Sequence, residues 1–298
     1  MCSVCEHPQA TDLTERRLAD HVERFARESP ANRLHEIDNS RIFETPLVGF
    51  ADGDDPLFQE YKSIIGPFHL TPRQAIEYAL AEQSTAAHAS VERLSVICWV
   101  LPIAERTRLS NRGRLRGPSR RWAHTKHYGE QFNDALREHV VSLLRDAGYL
   151  AIAPARSPLF RIHRDGIKHP PASTWSERHI QYAAGLGTFG LSDGFITPKG
   201  VAMRCGSVVT NLPLRSSPRR YRDHTANCLF RAQGDCAECI RRCPAGAITR
   251  EGHDKDKCQA YIGEDLRDIH DQYQVTALSC GLCQTGVPCE AGIPSGAK

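Results

Sequence analysis

Eight cysteines crowd the last 71 residues of this 298-residue chain, at Cys228, Cys236, Cys239, Cys243, Cys258, Cys280, Cys283 and Cys289. The preceding 227 residues hold four, Cys2, Cys5, Cys98 and Cys205. Thiolates are soft ligands, and Cys-x2-Cys steps bring two of them to one metal from a single turn, so the chemistry of this density is metal or redox chemistry. A secreted disulfide scaffold also spends many cysteines, but such scaffolds are short. The N-terminal segment MCSVCEHPQATDLTERRLADHVERF also lacks the apolar stretch of an export signal. Two tetrahedral zinc sites of four thiolates each would consume the same eight residues. The Cys2-x2-Cys5 pair, with His7 after it, sits at the terminus and is not assigned.

The order Cys228-x7-Cys236-x2-Cys239-x3-Cys243-Pro244, Cys258, Cys280-x2-Cys283-x5-Cys289 resembles a stretched two-cluster ferredoxin, with Ala-Gly-Ala-Ile behind the Cys-Pro step. In that pattern three cysteines of each run hold one four-iron four-sulfur (4Fe-4S) cluster and the fourth crosses to the other. The resemblance implies one cluster on Cys228, Cys236, Cys239 and Cys289, and a second on Cys243, Cys258, Cys280 and Cys283. The first spacing is longer than the usual x2, and the loop LFRAQGD must bring Cys228 back.

A second segment bears on cofactor binding. Residues 184–190, AGLGTFG, match GxGxxG, yet a dinucleotide fingerprint needs a strand before and a helix after it. Here SERHIQYA reads as a helix and LSDGFITPKG as a turn between strands, so nicotinamide binding is not expected. Closely spaced glycines still let backbone approach a large planar ligand, or simply make a tight turn.

The stretch Glu177-Arg178, Tyr182-Ala183-Ala184-Gly185-Leu186-Gly187, Gly190, Ile196-Thr197-Pro198, Arg204-Cys205 and residues 210–214, TNLPL, resembles the corrinoid-binding segment of the epoxyqueuosine reductase and reductive dehalogenase superfamily. Both families place a two-cluster domain directly after it. The resemblance implies an α+β fold, with a nitroreductase-like domain over residues 1–225 holding cobalamin and a ferredoxin-like domain over 226–298. Its cofactors would be two 4Fe-4S clusters and cobalamin. Cofactor contacts would come from Tyr182, Ala184, Gly185, Leu186, Gly187, Gly190, Ile196, Thr197, Pro198 and Cys205. The catalytic set would be Tyr128, Glu177 and Arg178, with Lys126 as another basic partner for the tyrosine. The match departs at Pro171, where epoxyqueuosine reductases carry the aspartate that supplies the proton. His163, Asp165 and His169 are substitutes near it in sequence.

These residues must be positioned by an ordinary mixture of helix and strand. Leu13, Leu18, Val22 and Phe25 give residues 12–28 helical spacing. Thr-Pro-Arg-Gln at Thr71 supplies an N-cap, a first-turn proline and a capping-box glutamine for a second helix. The apolar run Leu94 to Leu101 predicts a buried strand. Phe132, Leu136, Val140, Val141, Leu143 and Leu144 predict a helix over 130–147, closed by Gly148, with a strand over Tyr149 to Ala153.

No apolar run approaches a membrane span, and a cytoplasmic protein without membrane attachment is expected. Net charge is only +3, well short of a strongly basic nucleic-acid binder. Seven arginines nevertheless lie between Arg106 and Arg121 with no acidic residue among them, and Arg215, Arg219, Arg220 and Arg222 form a second group. Such runs can neutralise phosphates or dock an acidic electron donor. The chain ends nine residues after Cys289, without the helical repeat domain that helps epoxyqueuosine reductases to hold tRNA. The favoured expectation is therefore a dehalogenase-like reductase of a small organic molecule, fed by an external low-potential donor of ferredoxin or flavodoxin type. An epoxyqueuosine reductase-like enzyme of tRNA modification and a non-catalytic electron carrier or corrinoid-handling protein are the alternatives.

Overall fold

A computed structural model describes residues 13–82, 91–164, 171–221, 223–276 and 279–297. Its centre is strand β2 (Ser95–Pro102), with all eight residues buried. Side chains alternate across a strand, so Ile97, Trp99 and Leu101 enter one core cluster while Val96 and Cys98 enter another on the opposite face. Strands β1 (Leu47–Asp52) and β8 (Met203–Thr210) flank it antiparallel, and the short β3 (Ala151–Ile152) pairs beyond β8, giving the order β1-β2-β8-β3. Burial on both faces explains why β2 reads as an unbroken apolar run and not as an alternation.

Helices cover the sheet. Helix α1 (Glu15–Glu28) buries Leu18, Val22 and Ala26, and Thr14 caps it by accepting from the Arg17 N–H at 3.4 Å. Helices α2 (Leu57–Ile64) and α3 (Pro72–Glu82) pack on the other face through Phe58, Tyr61, Ala75 and Ile76. The capping box at α3 is reciprocal: Thr71 N–H donates to Gln74 Oε1 at 3.0 Å and Gln74 N–H to Thr71 Oγ1 at 3.3 Å. After α4 (Glu105–Arg112) comes the longest element, α5 (Arg120–Asp146).

Helix α5 begins ten residues earlier than its apolar pattern predicts. Ser119 caps it by accepting from the Trp122 N–H at 3.1 Å. The first turns bury Trp122, Ala123, His124, Thr125 and Gly129, a run too polar and too small to show an apolar period. Ala123 faces the cysteine-rich segment, packing with Tyr261, Leu266, Ile269 and Val275, and His124 reaches the Tyr273 carbonyl, while Trp122 belongs to the first core cluster and Gly129 lies against Phe43.

That segment consists of short helices, α7 (Leu229–Gln233), α8 (Glu238–Arg241), α9 (Lys255–Ala260) and α10 (Arg267–Tyr273). Between β3 and β8 lie the hairpin β4 (Ile162–His163) with β5 (Ala172–Ser173), helix α6 (Glu177–Ala183), and the hairpin β6 (Thr188–Phe189) with β7 (Phe195–Ile196). Leu191, Ile196 and Val201 from around the second hairpin share a cluster with Cys228, Ile248 and Val287. Among the described residues no helix is long and apolar enough to cross a membrane.

Candidate functional site

The eight C-terminal cysteines are free thiols and fall into two neighbouring sets. Cys228, Cys236, Cys239 and Cys289 line a small enclosed cavity together with Leu191, Ile196, Val201 and Val287. Burial pushes the Cys239 thiol up to about 11 and Cys289 up to about 12, and in both cases Cys228 and Cys236 add to the effect. Burial likewise pushes Cys280 up to about 11 and Cys283 further, with Cys243 and Cys258 acting on both. Cys283 also feels Cys239, so the two sets are adjacent. Four converging thiols in a desolvated site form a donor set suited to a multinuclear sulfide cluster, which takes them as thiolates.

The rest of the chain grips these cysteines by their backbone. Val201 N–H donates to the Cys289 carbonyl at 2.9 Å, and Gly200, at φ +87°, comes so close that a Cβ there would collide with the Glu290 carbonyl oxygen. The buried Glu290 carboxylate accepts from Arg112 Nε at 2.9 Å and from the Gly286 N–H at 2.7 Å, and pairs with Arg108 at 3.4 Å. Asn111 Nδ2 reaches the Cys280 carbonyl at 3.4 Å and Thr285 Oγ1 at 3.1 Å. Gly281, at φ +68°, lies flat on Trp122, where a Cβ would run into the indole.

Beside the second set opens a cavity of about 1680 Å³, with Cys258 in its wall. That exceeds the roughly 300–1,000 Å³ of most small-ligand sites, so it has room for a macrocycle and a substrate together. Lys126, Glu130, Asp134 and Arg137 of α5 line it, as do Glu177, Arg178, His179 and Tyr182 of α6, Arg204 and Cys205 of β8, and Gly190 and Gly194 of the hairpin.

A charged network holds one wall rigid. Arg137, with its side chain 3% exposed, donates to Glu130 at 3.0 Å, Asp134 at 2.7 Å and Glu177 at 3.1 Å. Ser207 Oγ donates to the other Glu177 oxygen at 2.7 Å. Burial raises the Glu177 carboxyl above its usual range despite Arg137 beside it, whereas burial pushes the Lys126 ammonium down to about 7, Arg204 and Arg178 adding to the effect. Sequence reading takes 130–147 only as an apolar pattern. Glu130, Asp134 and Arg137 at i, i+4 and i+7 are the available sign of a second, charged stripe.

Several expected residues lie elsewhere. Tyr128 is two positions from Lys126, about 200° around the helix. It packs on the first core cluster and against the rings of His124 and His127, off the cavity lining. His163 stacks on Phe68 with ring centroids 3.9 Å apart. Pro171 lines the cavity. Asp165, His169, Arg222, Cys2, Cys5 and His7 lie outside the described residues.

In the glycine segment, Tyr182 and Gly190 reach the cavity, with Cys205. Ala184 and Leu186 are core residues. A Cβ on Gly185 would lie 2.6 Å from the Pro218 carbonyl oxygen, and one on Gly187 would collide with that of Ile196. Those two glycines let the chain approach its own backbone. Ile196 lines the small cavity of the first cysteine set, the Thr197 hydroxyl closes its turn on the Gly200 carbonyl at 3.0 Å, and Pro198 is exposed at that turn. A helix precedes the glycines and a hairpin follows, the reverse of a dinucleotide site.

The arginine run is largely occupied within the fold. Arg108 and Arg112 hold Glu290, while Arg106 and Arg121 hold Asp38 at 2.5 and 2.6 Å. Arg219 of the second group pairs with Asp55 at 2.5 Å.

No family model matches the chain. An epoxyqueuosine reductase of Staphylococcus aureus (strain NCTC 8325 / PS 47) is 27% identical over 124 residues, covering 40% of this chain and 30% of that protein. The matched region thus spans less than a third of the relative's length. A selenomethionine-labelled epoxyqueuosine reductase superposes with a TM-score of 0.50 at 14% identity, over 96% of this chain and 68% of the other. The Bacillus subtilis epoxyqueuosine reductase gives 0.47 at 18% identity with the same coverage, and a catabolic reductive dehalogenase 0.45 at 16% over 67% of this chain and 26% of the other. The fold is that of the epoxyqueuosine reductase superposed at a TM-score of 0.50.

Proposed function

We propose that this chain is a corrinoid- and iron-sulfur-dependent reductase acting, like the epoxyqueuosine reductases, on an epoxide-bearing nucleoside of tRNA. The observation that carries the reading is Cys258, a member of the second cysteine set that also forms part of the wall of the large cavity. Sequence similarity to an epoxyqueuosine reductase favours this over the small-molecule, dehalogenase-like reading preferred from sequence alone.

The residues suit the groups. Cys228, Cys236, Cys239 and Cys289 would hold an outer 4Fe-4S cluster, and Cys243, Cys258, Cys280 and Cys283 an inner one; the grouping of the thiols into two neighbouring sets supports this assignment. For the corrinoid, the cavity is large enough, and Tyr182, Gly190 and Cys205 would lie along it. A bound corrinoid supplies a low-potential metal centre for reductive cleavage at carbon. The chain's own contribution is a rigid wall built on Arg137, and a rim carrying Arg156, Arg164 and Arg231 that would meet phosphates. The external donor would be a ferredoxin or flavodoxin, passing one electron at a time.

Pro171 favours the small-molecule reading instead, because no acid stands where the relatives' aspartate does. One experiment decides between the two. The anaerobically purified, cobalamin-supplied protein is incubated with a low-potential reductant and either epoxyqueuosine-containing tRNA or a panel of halogenated aromatics. Conversion of the tRNA nucleoside to queuosine supports the proposal. Halide release with unchanged tRNA replaces it with the dehalogenase-like reading, and neither product leaves the electron-carrier alternative.

A further inference from the structure

We propose that Lys126 is the proton donor of this site, delivering its proton to the substrate oxygen as the bond from that oxygen to carbon is reduced. The inference rests on the reductase reading above and names a residue that the relatives' pattern does not.

Lys126 is best compared with the groups nearest it and with Asp193, Tyr61 and His179 of the same cavity. Glu130 is paired with Arg137 at 3.0 Å and Arg204 at 3.7 Å, Asp134 with Arg137 at 2.7 Å and Arg156 at 3.3 Å, and Glu177 with Arg137 and Ser207. These carboxylates are already engaged as acceptors by guanidinium and hydroxyl donors. Asp193 lies 3.4 Å from His253 and 3.9 Å from Lys255. The Tyr61 hydroxyl donates to the His179 carbonyl at 2.8 Å, and burial holds the His179 ring neutral, pushed down to about 3. Lys126 differs: among the described residues no hydrogen bond or ion pair engages its ammonium, which stands half-buried on the cavity lining. The charged groups facing it are Glu130 on its own helix, Arg204 of β8 and Arg178 of α6. An unpartnered ammonium in a site with two guanidiniums gives up its proton more readily than one in water, and regains it from solvent.

The balance is simple. Reducing an epoxide to an alkene takes two electrons from the external low-potential donor and two protons. Both carbon–oxygen bonds break and the oxygen leaves as water, one proton coming from Lys126 and one from solvent.

Two measurements test this on the cofactor-loaded protein. Competitive acetylation across neutral and alkaline pH, read by peptide mass spectrometry, should show Lys126 titrating near 7 against the ordinary lysine value of 10.5. Turnover should fall as pH rises through that midpoint, because the ammonium is the active form. Lys126→Arg, which keeps charge but cannot release a proton, and Lys126→Met should each lose turnover by on the order of 10²–10⁴-fold while the corrinoid spectrum and iron content stay unchanged. Lys126 labelling like the other lysines would overturn the proposal, as would either variant turning over within roughly tenfold of wild type. Loss of turnover in Tyr182→Phe with active Lys126 variants would move the role to Tyr182. The labelling needs no substrate, so a protein that binds no corrinoid would sink the reductase reading while the lysine titration could still be read independently.

Discussion

Arg137 satisfies three carboxylates from two helices with one guanidinium, and that is where a single residue decides the shape of the cavity wall. Breaking a buried ion network on one side leaves charges without partners, which costs more than the network contributes when intact. Arg137→Met should therefore destabilise the protein by about 3–5 kcal/mol in urea or guanidinium unfolding, and should widen the cavity enough to weaken corrinoid retention. Cys258→Ser acts differently. It should remove about four of eight irons per chain, measured by iron analysis, and leave the outer cluster's spectrum in place. Of these two residues the cysteine is readable from spacing, because thiolate chemistry follows residue type. Arg137 is not, because an arginine on an amphipathic helix reads as solvent-facing until Glu177 arrives from another element.

The elements that matter most for the clusters come from outside the cysteine-rich segment. Helix α4 contributes Arg108, Asn111 and Arg112, and the turn after β7 contributes Gly200 and Val201, all directed at residues 280–290. Gly200→Ala would put a Cβ against the Glu290 carbonyl in a left-handed backbone, and a backbone oxygen cannot swing aside. It should displace Cys289 and cost the outer cluster, seen as iron loss with the sheet's circular dichroism intact. Gly113→Ala is the contrasting case, with φ −75° and nothing within 4 Å, and should be neutral or stabilise by about 0.4–1 kcal/mol. The arginine run belongs at this scale too. Sequence presents it as a phosphate-binding tract, but most of its members are ligated by Glu290 and Asp38. Those partners are distant in sequence, 83 positions for Arg121 and 182 for Arg108, and no local pattern announces them.

At the scale of the molecule, order runs from the outer cysteine set through the inner one to the cavity. The cysteine-rich segment has helices of four to seven residues, too short to hold themselves. Its stability then depends on α4, α5 and the hairpin and, on the proposed reading, on clusters bound by its thiolates. Stripping iron by oxidation and chelation should open residues 228–297 to limited proteolysis while a fragment containing the sheet persists, which mass spectrometry would map. If the proposed tRNA reading holds, affinity for tRNA should fall with salt and weaken in an Arg164→Ala, Arg231→Ala double variant, since both arginines line the cavity.

By itself the sequence determined the buried central strand, the helix near residues 12–28, the capped helix at Thr71 and the hairpin that excludes a dinucleotide fold. Each of these follows from residue type and near-neighbour spacing, which act over one or two turns of chain. Tertiary structure alone decided which face of α5 looks into the cavity, placing Lys126 on its lining and Tyr128 off it. It also set Gly185 and Gly187 against the backbone of Pro218 and Ile196 and engaged Arg106, Arg108, Arg112 and Arg121 in ion pairs. These outcomes depend on what a distant segment brings to the same place. A side chain's environment is set by its spatial neighbours, and sequence order does not encode those directly.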